Sequence, residues 1–463
     1  MLPADKNSGR SLSFKTACLL VLVLFFVTNL FAALPPQPQK PAVPLEPAEI
    51  KTVDTPKVSQ TVPSYQDGSP AAEGQAFFWK SATETDMREE YGKGQGNIHW
   101  GAVEFHPVAS FQEKYDTNIV LAPRGQENMD WISDYLVGLA AKTPLIASRG
   151  NDFIAEAEYH ADFLDYMRYD RLSRVDHTAH AAFRGNLANG FGAKFTEDFF
   201  KTQDQANNEL TALQKRWWNK MDARVNYTRE KITLEAAYTI IMNRYLQSHN
   251  LSYNDHMMSG VVYYSLSEKT RVFNEANIGR IQYRKSPTNS NSYYYQDRIG
   301  IEGKVAPKLT GTAKLGFRYQ DYERKTVKDY AQITAFGNLR YDITERTTFN
   351  LYGETRPEES SYADNSFYIS NIIGLKGDHL LTKRIAVEGG VFWAYDRYLS
   401  LSTEGDQSAK RRDTLWGINL GLKYELRKWW LLDAMYVAKQ RDSRFNNFDY
   451  NDQQVTMRTT FLL

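Results

Sequence analysis

Residues 414–426, TLWGINLGLKYEL, decide the fold. One parity reads Trp416, Ile418, Leu420, Leu422, Tyr424 and Leu426, and the other reads Gly417, Asn419, Gly421, Lys423 and Glu425. An apolar face alternating with a polar one at a period of two is a β-strand, because successive side chains point to opposite sides of the sheet. Aromatic residues stand near both ends of the apolar face, where bilayer headgroups would lie. A register slip of one residue would drive Lys423 and Glu425 into lipid, at about 2–4 kcal/mol for a midplane lysine and less for the acid. The frame is fixed by that penalty.

The alternation recurs. Leu309, Gly311, Ala313, Leu315, Phe317 and Tyr319 oppose Thr310, Thr312, Lys314, Arg318 and Gln320. Ile333, Ala335, Gly337, Leu339, Tyr341 and Ile343 oppose Thr334, Asn338, Arg340 and Asp342. Upstream, Ile232, Leu234, Ala236, Tyr238, Ile240 and Met242 oppose Thr233, Glu235 and Asn243. Residues 273–283 and 368–376 fit neither parity well, and no facing is assigned to them.

Short polar turns stand near Thr143-Pro144, Asn189-Gly190, Glu230-Lys231, Glu268-Lys269, Pro307-Lys308, Glu345-Arg346, Thr382-Lys383 and Arg427-Lys428. They recur about every 38 to 46 residues, which is the mark of a repeat architecture. Longer polar connections lie between them at residues 116–129, 203–213, 247–253, 286–292, 323–329, 358–365, 400–412 and 444–450. None is long enough to predict a loop folded into the bore. Each unit is therefore a hairpin of two strands of about 10–14 residues, the length a tilted membrane strand needs. A strand on each side of eight turns, plus a first near His99 to Tyr115 and a last from Asn451 to Leu463, gives about 18. A β-propeller also repeats near this length, but it packs four short strands per unit, and no Gly-His or Trp-Asp signature is present. The expected fold is all-β: a transmembrane antiparallel up-and-down barrel of about 18 strands.

In the last strand, Val455, Met457, Thr459, Phe461 and Leu463 share one face, with Thr456, Arg458 and Thr460 on the other. This is similar to the closing strand read by barrel assembly machinery, a predicted partner, although the terminal residue is Leu463 and not an aromatic.

Residues 1–33 predict a signal peptide. Lys6, Arg10 and Lys15 precede the apolar run ACLLVLVLFFVTNLFAA from Ala17 to Ala33, the arrangement of a secretory signal. Phe31 occupies a position where a small residue is preferred. Residues 34–96 open on PPQPQKPAVPLEP and predict a Pro-rich periplasmic linker or a plug. The barrel is expected over residues 97–463. Beyond the signal, no stretch approaches 18 consecutive apolar residues, so nothing there spans a membrane as a helix.

Composition agrees. The 463 residues carry 56 Lys plus Arg against 55 Asp plus Glu, a balance that argues against a nucleic-acid partner. Aromatic residues reach 13% while mean hydropathy is only −0.55, as two-faced strands with aromatic girdles require. The single cysteine, Cys18, lies inside the signal. Without it the chain has no thiol, which excludes disulfides, Cys-ligated zinc and Cys nucleophiles.

Three segments carry a family resemblance: GNIHWGAVEFHPVASFQEKYDTNI near the start, PKLTGTAKLGFRYQDYER in the centre, and RRDTLWGINLGLKYELRKWWLLDAMYVAKQRDSRFNNFDY near the end. Together they resemble the outer-membrane β-barrel porin 2 family over residues 97–463. The resemblance implies a bacterial outer-membrane barrel of the kind often encoded in exopolysaccharide loci, hence a polysaccharide conduit. It brings no catalytic residues.

Candidate lumen-lining residues are Lys220, Asp222, Arg224, Glu235, Arg298, Glu302, Lys304, Lys314, Arg318, Arg340, Asp342, Glu354, Lys423, Glu425 and Arg458. Lys304, Lys314, Arg318 and Arg340 form a local cationic group in sequence. Such charges serve either as cross-strand ion pairs or as a track for an anionic polymer. Tyr293, Tyr294, Tyr295, Tyr362 and Tyr368 are expected in the interface belt, with stacking on sugar rings as the alternative. In Asp176-His177-Thr178-Ala179-His180 the two histidines have opposite parity, and no catalytic, cofactor or metal site is predicted. Three roles stay open: export of an exopolysaccharide or other surface polymer, general solute diffusion, or a structural or adhesive barrel with a blocked lumen. Expected partners are outer-membrane lipid and lipopolysaccharide, polysaccharide and a periplasmic export protein. Both termini are expected in the periplasm.

Overall fold

The computed structural model describes residues 98–100, 103–143, 146–148, 151–204, 209, 213–284, 289–361, 366–404 and 406–462. The expected signal and linker, and with them Pro144, Tyr362 and Leu463, lie outside the described residues.

Eighteen strands, from β1 (Val103–Asp116) to β18 (Tyr450–Leu462), run up and down, each antiparallel to its neighbours. β18 returns to pair with β1, from Val108↔Leu462 to Asp116↔Gln454, and the sheet closes. Closure is what makes a sheet tolerable in lipid, since it leaves no unpaired edge. Two three-residue strands are added beside the wall: Ile98–Trp100 folds back on β1, and Ile146–Ser148 on β3 (Asn151–Tyr166).

The connections differ at the two rims. At the turn rim, pairs such as Glu230-Lys231 and Pro307-Lys308 join strands directly, with φ of 53° at Glu230 and 64° at Lys308. Positive φ in a two-residue hairpin matches the twist of the flanking strands. Gly190 has φ 89°, and a Cβ there would sit 2.3 Å from the Thr228 carbonyl oxygen, so the Asn189-Gly190 turn requires glycine. The last short turn centres on Lys428 and Trp429, one residue beyond the expected pair. The loop rim carries the longer connections and three single-turn 3-10 helices, Asp170–Leu172, His249–Leu251 and Asn446–Phe448.

Residues 400–412, expected as a polar loop, are a hairpin. β15 (Ile385–Glu404) and β16 (Gln407–Arg427) extend past their neighbours to 20 and 21 residues. Their outer turns are polar on both sides, so no apolar parity marks them as strand. The connection between β3 and β4 (Arg174–Asn186) also lies at this rim; it was not among the expected loops.

The outward face is an apolar band, with Leu315, Ile333, Ile299 and Leu420 all more than half exposed. The two segments of uncertain facing also resolve. In β9 (Thr270–Tyr283), Phe273, Glu275, Asn277 and Ile281 are buried while Asn274, Ala276 and Ile278 are exposed. In β14 (Phe367–Leu380), Tyr368, Ser370 and Ile372 are buried, whereas Ile373 and Leu375 face out. Parity was obscured because the inward sets include large apolar residues.

Candidate pore lumen

The inward face is built from charges held in place by neighbouring strands. On β6 (Gln214–Arg229), Lys220 is half-buried opposite Asp198 of β5 (Phe191–Asp204). Arg224 bridges Asp222 at 2.5 Å and Glu235 of β7 (Ile232–Tyr245) at 2.9 Å. Asp222 also accepts a hydrogen bond from Thr239 Oγ1 at 2.7 Å. From β10 (Ser292–Ala306), Arg298 pairs with Glu275 of β9, and Glu302 pairs with Arg271 at 2.5 Å. Farther round, Glu354 of β13 (Thr347–Glu359) meets Arg356 at 3.0 Å, and Arg356 also holds Glu358 at 2.5 Å. Lys423 reaches Glu388 at 3.6 Å, and Arg458 reaches Asp433 at 3.1 Å. Glu425 is half-buried near the turn rim of β16.

The expected cationic group does not form. Lys314 on β11 (Leu309–Tyr322) lies 2.7 Å from Glu275, while Arg318 stacks on the Tyr294 ring at 3.9 Å and donates to Gln320. Arg340 of β12 (Tyr330–Thr344) pairs with Asp342 at 2.9 Å, and Lys304 is exposed at the turn rim. Each cation is thus held at a separate place. The acid that neutralises Lys314 comes from another strand: Glu275, in a segment to which the sequence assigned no facing.

Two of the expected belt tyrosines point inward. Tyr294 and Tyr368 are fully buried, and Tyr294 donates to Asp255 at 3.0 Å. Tyr293 and Tyr295 remain on the outer face. On five successive strands, Phe336, Tyr352, Ile372, Phe392 and Leu415 form one buried inward apolar cluster. Flanking it, Arg411 stacks on Tyr398 at 4.8 Å and forks onto Asp413 at 2.6 Å. The opposite wall is acidic: Glu156, Glu158, Asp162 and Asp198 share the inward face with His160 and His180, and His180 Nδ1 lies 2.7 Å from Asp198. His177 is on the outer face, bonded to Tyr159 at 2.8 Å.

The loop rim is crossed. Glu209 follows β5, and Ser360 follows β13, eight strands on in an 18-strand wall and so nearly opposite. Yet Ser360 Oγ donates to the Glu209 carboxylate at 2.6 Å, and the Ser361 amide donates to its other oxygen. Asn289 donates to the Ser360 carbonyl at 2.6 Å, and Tyr283 donates to Glu359 at 2.8 Å. Burial raises the pKa of Glu209, and the nearby Arg411 offsets this only in part. No connection was expected to reach inward. The reach rests on Glu209 from one connection and on Ser360 and Ser361 from the other.

Several solved structures resemble the barrel. A BenF-like porin from Pseudomonas fluorescens Pf-5 is 11% identical, covering 78% of this chain and 99% of that chain with a TM-score of 0.44. OccAB3 from Acinetobacter baumannii is 12% identical over 78% of this chain and 99% of that chain, with a TM-score of 0.44. The outer membrane protein OpdK from Pseudomonas aeruginosa is 11% identical over 78% of this chain and 99% of that chain, with a TM-score of 0.43. Among curated proteins, none matches this sequence. Over residues 105–461, from β1 to β18, the chain matches, and so belongs to, the family described as Putative beta-barrel porin 2.

Proposed function

We propose that this outer-membrane, porin-like channel is the conduit for an exopolysaccharide or another surface polymer. The observation that carries the reading is the inward cluster of Phe336, Tyr352, Ile372, Phe392 and Leu415, 1–7% exposed and bordered by the Arg356 and Arg411 ion pairs, which must part for a chain to reach its aromatic faces. Aromatic faces stack on the C–H faces of sugar rings, and fork-shaped guanidinium and carboxylate groups exchange hydrogen bonds with hydroxyls. A conduit needs contacts strong enough to admit a chain and weak enough to release it. The family and the closed barrel point to a channel and not to an enzyme.

In this reading residues 1–33 direct export and barrel assembly machinery inserts the chain. The turn rim with both termini faces the periplasm, where an export protein would deliver polymer. Deleting the gene is expected to abolish surface polymer while its precursor accumulates in the periplasm. Unchanged surface polysaccharide overturns the reading.

A second reading, diffusion of small solutes, is favoured by exposed inward charges at the turn half, such as Lys194 and Arg340. Planar-bilayer recordings test it: absence of conductance, even after removal of residues 34–96, rejects it. The Glu209–Ser360 contact favours a third, a structural or adhesive barrel with a blocked lumen. Rapid, size-limited solute flux would eliminate that one.

A further inference from the structure

Among the described residues, most buried cations of the lumen meet carboxylates; on the outer face of β5–β9, four cations at the loop rim meet none. Lys201 on β5, Trp217 on β6 and Arg244 on β7 are register neighbours, side by side on the outward face. The Arg244 guanidinium lies 5.7 Å from the Trp217 ring centroid and donates to the Tyr253 carbonyl at 2.7 Å. Lys215 is exposed just above, and Arg284, exposed at the end of β9, adds its positive field at Arg244. Among the described residues, none of these four cations has a carboxylate partner. On β9 the stripe continues with Arg280, which lies over the Tyr293 ring at 4.9 Å and does have one, Glu323.

Each of these residues lies within about three positions of the loop rim, hence roughly 10 Å along a strand. That is headgroup depth, where an outward cation costs little. On the neighbouring wall, from β1 to β3, the outward cleft at the same rim is lined instead by Glu113 and Asp165. Unpaired cations interleaved with tryptophan at headgroup depth are complementary to membrane anions, each worth about fivefold in binding near a charged surface.

We propose that the outward face of β5–β9 at the loop rim binds the phosphate groups of a phosphorylated glycolipid, the headgroup chemistry of lipopolysaccharide. Lys201, Lys215, Arg244 and Arg284 supply the charge, and Trp217 seats the sugar–acyl boundary. The site rests on the loop rim facing the outer leaflet.

The test uses the full chain in phosphatidylcholine vesicles, titrated with bisphosphorylated lipid A and with dephosphorylated lipid A. Phosphorylated lipid A is expected to bind and to raise the temperature at which the barrel unfolds on gels. Lys201→Gln with Arg244→Gln should weaken binding about thirtyfold, and Lys201→Gln alone about fivefold. Arg397→Gln, on the far arc, should leave binding unchanged. Equal binding of dephosphorylated lipid A, of phosphatidylglycerol, or of the double variant overturns the proposal. Orientation is read separately by placing Gln126→Cys in a Cys18→Ser chain and treating intact cells with an impermeant maleimide. Labelling only after the outer membrane is opened rejects the orientation, and with it the leaflet assignment, whatever the vesicles show.

Discussion

Glu275 and Lys314 belong to strands that do not touch, β9 and β11, yet their side chains meet at 2.7 Å across the intervening β10. Arg298, from β10 itself, closes on the other oxygen of the same carboxylate. One buried acid thus ties three strands. Removing one member of a buried ion pair leaves uncompensated charge, at about 3–5 kcal/mol. Glu275→Gln leaves two cations in that state. It is expected to lower the urea midpoint of the reconstituted barrel more than Arg340→Gln, whose pair with Asp342 is exposed.

Facing is testable on β16. Leu420 is 58% exposed on the outer face, and Asn419 beside it points inward. Leu420→Arg should destabilise the folded barrel by about 2–4 kcal/mol, whereas Asn419→Arg should change little. Equal effects in a vesicle-refolding titration would mean the frame is wrong.

The contact across the loop rim should respond to pH. Burial raises the pKa of Glu209 in the docked state, so the docked carboxyl holds its proton more tightly than the undocked one. Docking is then strongest in acid and weakens as pH climbs from the ordinary glutamate range through the raised value. Single-channel conductance should rise as pH climbs above the ordinary glutamate range, about pH 4.3. Glu209→Gln removes the titration and should flatten the profile.

Closure of the sheet has its own fastener. Asn118, buried after β1, donates through Nδ2 to the carbonyls of Ala122 and Asn451 and accepts from the Ala122 amide at 2.8 Å. Asn118→Ala removes bonds from both sides of the β1–β18 seam. A loss of about 1–3 kcal/mol should appear as earlier unfolding in heat-modifiability gels, and Asn118→Asp should recover part of it.

How much of this was legible follows from where chemistry forces a choice of face. In residues 414–426 the bilayer does so, and the strand, its frame and the hairpin period could be read directly. In residues 400–412 no face is apolar, so a hairpin has the sequence of a loop. The run Tyr293-Tyr294-Tyr295 offers the same side chain to both faces, and only the register with Arg318 and Asp255 turns Tyr294 inward. Ion-pair partners were hidden for a related reason. Lys314 and Arg298 look like free cations until the pairing of three strands brings Glu275 between them. The meeting of Glu209 with Ser360 depends on the paths of two loops, on which periodicity is silent.

Each short turn joins one complete ascending and descending strand, and both ends of the wall lie at the same rim. A duplication or deletion that preserves this antiparallel closure must therefore add or remove a whole pair. Barrel diameter grows roughly linearly with strand number, so one pair in 18 changes it by about one ninth. Calibre would therefore change in discrete steps, separately from the residues that line the bore. Selection can retune what passes without resizing the hole, or resize the hole without reversing the side on which the chain begins.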